Sequence, residues 1–503
     1  MGILRAALCL GLLGSPGLMG CAQLFGIEST SNNDGGIATD ASPTSVTMQV
    51  QRISEGPAPS RTAYDVSSYP ANFLVADTSA AGFHRVAATA AGDTWSAEIP
   101  DGTPAMEATL GMDLPDPFRR LYALPQRNLK LLYGIYEQPD AVPAPATGTI
   151  TATLTLNTPA VAATDLYRLY CVGSWAYHDL PYVDMATTVS EAAVPYNVAT
   201  WGNLSGRPFT KITTSDTMLG LKYQGNQLIA AAEYPAFAQT AGDVAITATL
   251  TEVTATAMDV HISPSTLASR LAMPAPPATS GVGIGWNTNA SPGWDIANAA
   301  GPQLNAGGVQ VVDPGAITAP TGNPFASKGW RTTFNLQSNR SRTYAVPELG
   351  HLPGTFYTGL NAIAELGPGL TVDPPAPLPV LVSVNTKPLT TDGQTITVDP
   401  AKAVVLTMVT DTPNPTFYQY NIYELRENAA ATALETHVAY VAISDKPTVT
   451  IPSDVFTAGK TYWIRAHTIS GGYPGFAAGN FWERNLPYSV GYLDAGVFTV
   501  VAP

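Results

Sequence analysis

Asp93-Thr94-Trp95-Ser96-Ala97-Glu98-Ile99 runs straight into Pro100-Asp101-Gly102. Side chains alternate with period 2 through the first seven residues, the spacing of a strand with one buried face. The Pro-Asp-Gly triplet then favours a turn. The same grammar recurs outward in both directions. Short apolar-alternating runs are punctuated by Gly, Pro and Asp, and helical periodicity is nearly absent, so the chain reads as all-β. Ile150-Thr151-Ala152-Thr153-Leu154-Thr155 has a near copy in Ile246-Thr247-Ala248-Thr249-Leu250-Thr251. Two such segments mark either the paired first and last strands of one sandwich or the starts of successive domains.

The N-terminus has a different pattern. Arg5 supplies a weak positive region, and Ile3 to Leu13 is apolar apart from Gly11. Ser15-Pro16-Gly17 is a turn-prone hinge before Leu18-Met19-Gly20-Cys21. This is the plan of a secretory signal, too short for a spanning helix. The last four residues resemble the lipobox of bacterial lipoproteins: an aliphatic residue, a tolerant one, a small one, then cysteine. The resemblance implies cleavage after residue 20 and lipid on Cys21. The protein is then expected to be exported and held on the bacterial envelope. Ala22 stands where enteric lipoproteins retained in the inner membrane carry Asp, which leans towards the outer membrane or cell surface. Residues 21–45 read as a flexible tether, with Ser29 to Gly36 polar throughout.

The formal charge is −14, and removal of residues 1–20 takes away only Arg5, leaving −15. That acidity argues against nucleic acid as a partner, because phosphate backbones require basic grooves. Charged residues make up 12% of the chain, against about 25% in an average protein. Turn-rich exported β-structure fits such a composition. Cys9 leaves with the signal and Cys21 takes lipid, so only Cys171 remains and an internal disulfide is not expected.

Four units are expected: β-sandwich domains at 46–145 and 147–255, an irregular β-rich domain at 256–375, and a sandwich at 379–503. In the last, candidate strands lie at 379–386, 403–409, 417–425, 436–444, 447–453, 460–470 and 495–502. Phe456, Ala458, Gly459 and Tyr462 resemble the pattern that precedes the sixth strand of fibronectin type III domains. For this last unit the resemblance implies that Tyr462 is a corner tyrosine bonded back to backbone; for the whole chain the expected architecture is tandem β-sandwich domains of immunoglobulin/fibronectin type III-like kind. That family often carries Trp on its second strand, where this chain has Met408.

No constellation for catalysis stands out, so no catalytic residue, metal ligand or cofactor is expected. The six histidines are scattered, and no CxxC, phosphate loop or nucleophile elbow is present. Cys171 and His178 would come together only if the chain turned at Gly173-Ser174. Glu424 with Glu427, and Asp179 with Asp184, are carboxylates near one another in sequence. The richer signal is the stretch 471–494, which holds Tyr473, Phe476, Phe481, Trp482, Tyr488 and Tyr492, with Glu483-Arg484 and Asp494. Read as a loop between the last two strands, it is a candidate ligand-contact surface, since rigid aromatics give contact area at low entropic cost. Packing over the sandwich end is the competing reading. Trp175, Trp201, Trp286, Trp294 and Trp330 have the same two readings, with core packing favoured. The expected function is a non-enzymatic binding or structural role at the envelope, through contact with protein or glycan. The alternative is a surface hydrolase of polysaccharide or peptide with the last unit as an accessory module.

Overall fold

Trp95, the second residue of the strand Thr94–Glu98, is buried, with its indole N–H donating to Tyr69 O at 2.9 Å. That strand pairs antiparallel with Ser45–Ser54, Met48 facing Trp95. The computed structural model describes residues 44–54, 60–77, 82–100, 102, 104–110, 118–136, 148–159, 165–173, 176–181, 184–203, 210–292, 301–309, 311, 315–372, 376–482 and 485–503. Within these the protein is all-β, with several packed sheets. Among the described residues the one α-helix, Pro264–Leu271, starts on a proline and buries Leu267 and Leu271, one turn apart.

A 14-stranded sheet passes through three of the four units. It begins in the third with Gln303–Gly308, Gly283–Ser291, Arg331–Val346 and Leu352–Glu365. It continues through the last with Tyr488–Asp494, Thr461–Gly471, Phe417–Glu427 and Leu434–Ser444. It ends in the first with Phe118–Ala123, Ala105–Leu110, Ala71–Ala76 and Phe83–Ala87. Gln394–Thr397 and Phe498–Val501 attach beside the start of Thr461–Gly471. Both joints between units are backbone ladders. Leu352–Glu365 runs antiparallel to Tyr488–Asp494, and Leu434–Ser444 runs parallel to Phe118–Ala123.

This sheet is a middle layer. One face packs on the last unit's second sheet, built from Pro379–Val384, Val404–Thr410 and Thr448–Ile451. That core holds Val382, Leu406, Tyr420, Ile422, Ile464 and, from the first unit, Leu74 and Leu121. The other face meets the first unit's own sheet of Ser45–Ser54, Thr94–Glu98 and Asn128–Tyr136. There Met48, Trp95 and Leu131 share a core with Phe417, Ile443 and Ile469 of the last unit. Period-2 alternation sends Phe73 to one core and Leu74 to the other.

The second unit keeps two sheets of its own, one three-stranded and one six-stranded, around a core that includes Ile150, Leu154, Leu169 and Ile246. The duplicated hexapeptides are paired neighbours within it. Thr149–Thr155 runs parallel to Asp243–Thr249, offset so that Ala152 faces Ile246. An even offset keeps Ile150, Ala152 and Leu154 on the core side together with Ile246 and Ala248. The segment 256–375, expected to be irregular, contains the longest hairpin, Arg331–Val346 with Leu352–Glu365. Its Thr, Asn and Ser content masks the apolar alternation that marks a strand in sequence. In the last unit, Tyr488–Asp494 is a strand in ground read as loop, and the connecting loop is correspondingly shorter.

Candidate functional site: an aromatic and ionic clasp between the first and last units

The strand Thr461–Gly471 ends at two glycines with left-handed backbone, Gly471 at φ 71° and Gly472 at φ 77°. A Cβ on Gly472 would sit 2.5 Å from the Tyr488 ring, so both conformation and space require glycine there. The turn throws the following residues across the seam onto the first unit. The 3-10 turn Phe476–Ala478 ends at Gly479, also left-handed. Gly479 O then accepts from Lys130 N at 2.9 Å, and Phe481 N donates to Lys130 O at 3.0 Å. Gln126 Nε2 donates to Ala477 O at 2.9 Å, and Trp482 Nε1 to Leu131 O at 2.9 Å. The Lys130 ammonium lies 4.7 Å from the Trp482 ring centroid.

The rings interlock. Phe417 stacks on Phe476 at 5.1 Å, Phe476 meets Phe481 edge-on at 5.6 Å, and Tyr122 of the first unit meets Phe481 at 5.7 Å. Tyr473 packs edge-on against Phe417 and Tyr488. Phe481 is fully buried, Tyr473, Phe476 and Trp482 are buried, and Tyr488 is half-buried. The surface expected to present these rings to a ligand is therefore not there. The rings close the core between the units instead, because Leu129, Leu131 and Tyr122 offer them an apolar partner. Tyr492 is also buried, opposite Gly359, where a Cβ would approach the Tyr492 ring to 2.4 Å.

A charged cluster completes the clasp. The buried Glu107 accepts from Tyr440 Oη at 2.7 Å and lies 3.4 Å from Arg85 and 3.6 Å from Arg119. Asp454 then bridges Arg85 and Arg119 at 3.0 Å each. Burial opposes ionisation of Asp454, but hydrogen bonds and charge from Arg119 and Arg85 outweigh it and hold the carboxyl below its usual range. Burial, reinforced by Glu107, pushes the Tyr440 phenol well up, so it stays a donor. At the opposite joint Arg465 pairs with the fully buried Asp494 at 2.7 Å, and Arg342 with Asp392 at 2.9 Å. Arg342 also donates to the Asp494 and Ala495 carbonyls. Arg85, Glu107 and Arg119 carried no local signal, because Tyr440 and Asp454 reach them from more than 300 residues away.

The remaining candidates are dispersed. Cys171 is buried, its thiol 3.1 Å from Asp216 Oδ2 and 3.7 Å from Tyr196 Oη. The chain does turn after it, with Cys171 opposite Ala176. His178, however, is held by Glu191 at 2.9 Å and by Thr200 O at 3.2 Å. Asp179 pairs with Arg168, and Asp184 sits on an exposed turn. Glu424 is engaged by Arg426 and Lys460, and Glu427, an odd step along the strand, points to the other face. Trp201, Trp286 and Trp330 are buried; Trp175, Trp294, Glu483, Arg484, Cys21 and the tether up to residue 43 lie outside the described residues, while Ser45, expected in the tether, already belongs to the strand Ser45–Ser54. Tyr462 is buried, and its hydroxyl accepts from Thr457 N at 3.0 Å. Among the described residues no group of three or more His, Cys, Asp or Glu is placed to hold a metal ion, and no helix is long and apolar enough to cross a membrane.

No protein-family model matches the chain, and no curated protein matches it. Among solved structures, the alpha-2-macroglobulin of Escherichia coli activated by porcine elastase aligns over 91% of this chain and 44% of that one, at 8% identity and a TM-score of 0.13. The chain thus spans less than half of that protein, and a likeness at this level carries no argument.

Proposed function

We propose that this chain is a bacterial envelope lipoprotein, anchored by lipid on Cys21, whose β body has a non-enzymatic binding or structural role in contact with protein or glycan. The observation that carries the reading is how the body takes up the chain after the tether. Ser45–Ser54 lies between strands on both sides, antiparallel to Thr94–Glu98 and Ser60–Ala63 and parallel to Asn128–Tyr136. A pull on residue 44 along that strand must shear these ladders together rather than peel one bond at a time. The clasp passes the load onward, since Lys130 on Asn128–Tyr136 is bonded to Gly479 and Phe481. A tethered body profits from such an attachment. Burial of the aromatic loop shifts the balance towards the structural side of the role. The last unit we read as fibronectin type III-like, supported by its two facing sheets and by the Tyr462–Thr457 bond.

Fractionation of bacteria expressing the full chain or its Cys21→Ser variant tests the anchor. The wild type is expected in the membrane fraction, with an N-terminal peptide carrying acyl chains, and the variant in the soluble fraction. A wild type that is soluble, with an unmodified cysteine, overturns the proposal.

A further inference from the structure

The second unit holds a lysine and an aspartate at positions where a sandwich ordinarily places apolar side chains. Asp165 and Tyr167 lie on Asp165–Cys171, and Lys222 on the neighbouring Met218–Gln224. Tyr167 faces Lys222 directly across the ladder, so Lys222 reaches Asp165 on the diagonal. Tyr167 shares its face with Leu169 and Cys171, which fill the core. Asp165 is 8% and Lys222 7% exposed. Lys222 Nζ lies 3.2 Å from Asp165 Oδ2, with the Tyr167 ring centroid 5.6 Å from the same nitrogen. Tyr167 Oη approaches Asp165 Oδ2 at 3.5 Å. Asp165 Oδ1 is buried with no hydrogen-bond partner among the described residues.

A buried ion pair gains little, because desolvation of two charges offsets their attraction. Loss of water removes both charges at once. We infer that Lys222 and Asp165 are a modification site, joined by an intramolecular amide between Nζ and Cγ that forms after folding. The reaction needs no oxidant and no co-reactant. A proton passes from the Lys222 ammonium to Asp165, leaving an amine and a carboxylic acid. The nitrogen lone pair attacks Cγ and forms the C–N bond. The C–O bond to one carboxyl oxygen breaks, and that oxygen leaves as water, carrying the transferred proton and a second proton from the nitrogen. Tyr167 touches the reacting oxygen and donates to it as charge develops. Burial first, then the Asp165 charge and hydrogen bond, push the Tyr167 phenol up to about 12, so it keeps its proton at neutral pH. The link would staple adjacent strands of the one unit that shares no sheet with the rest. It stands independently of the lipid anchor.

Trypsin digestion of the full chain and mass spectrometry of the peptides test it. The bond blocks cleavage after Lys222 and yields a branched peptide joining 131–168 to 212–270, lighter than the two parts by one water. Lys222→Arg is expected to abolish that species, and Tyr167→Phe to reduce its fraction at a fixed time after synthesis. The wild-type digest decides the matter whether or not the variants fold. Cleavage after Lys222 with an unbranched 131–168 peptide overturns the inference.

Discussion

The second unit and the first–last pair solve the same problem, burial of strand faces, in opposite ways. The second unit closes two sheets over a private core and, among the described residues, meets the third through side-chain packing and side-chain hydrogen bonds such as Tyr223 Oη to Gln303 O, with no shared backbone ladder. Tyr170, Leu219, Leu221 and Tyr223 on its outer face pack against Leu304, Phe325 and Trp330 of the third unit. The first and last units share a sheet, a core and a clasp, so neither can bury its own faces without the other. Backbone pairing across a unit boundary links register to register, whereas side-chain packing lets two finished bodies adhere. Cooperativity on unfolding should follow that distinction.

The sharpest way to break the comparison is Phe481→Ala. The ring is fully buried at the seam, and its loss is expected to lower stability by about 3–5 kcal/mol. Hydrogen-exchange protection should fall in the first and last units together, and one denaturation transition should move as a whole. Loss confined to residues 472–487 would mean that the shared core does not couple the units. Trp330→Ala addresses the other joint, at about 3 kcal/mol. Here calorimetry should split the profile, with the second unit melting at its own midpoint. A single lowered transition would show that packing couples as tightly as pairing.

Acid sharpens the contrast more gently. Burial first, then the Arg465 charge, hold the His467 imidazole in the last unit down to about 3. An unfolded histidine titrates near 6.5, so between these values the unfolded chain binds the extra proton. Stability from this group is therefore fully present above about pH 6.5 and declines towards pH 3, by at most about 1.4 kcal/mol per pH unit. Denaturation at pH 7, 5.5 and 4 should show that slope in the central sheet, and His467→Gln should flatten it. An unchanged slope in the variant would remove His467 as its source.

How much of this was legible beforehand differs by element. Asp93–Ile99 and the two hexapeptides announced strands because alternation is a local property, written wherever one face is wet and the other dry. Arg331–Val346 did not announce itself, since its polar residues Thr333, Ser338 and Arg342 are buried by partners that only the fold supplies. Phe476, Phe481 and Trp482 were legible as a cluster with something to cover. Whether they would cover a ligand or Leu129 and Leu131 depended on a segment some 350 residues away. Glu107 and Asp454 were invisible for the same reason.

By itself, then, the sequence determined the β class and the period of the strands, because these depend on residues within a few positions of one another. The tertiary structure alone decided that three units share one sheet, that the aromatic loop is a clasp, and that Lys222 meets Asp165. Those outcomes are contacts between distant segments, and their free energy exists only once both faces are formed and water has left the space between them.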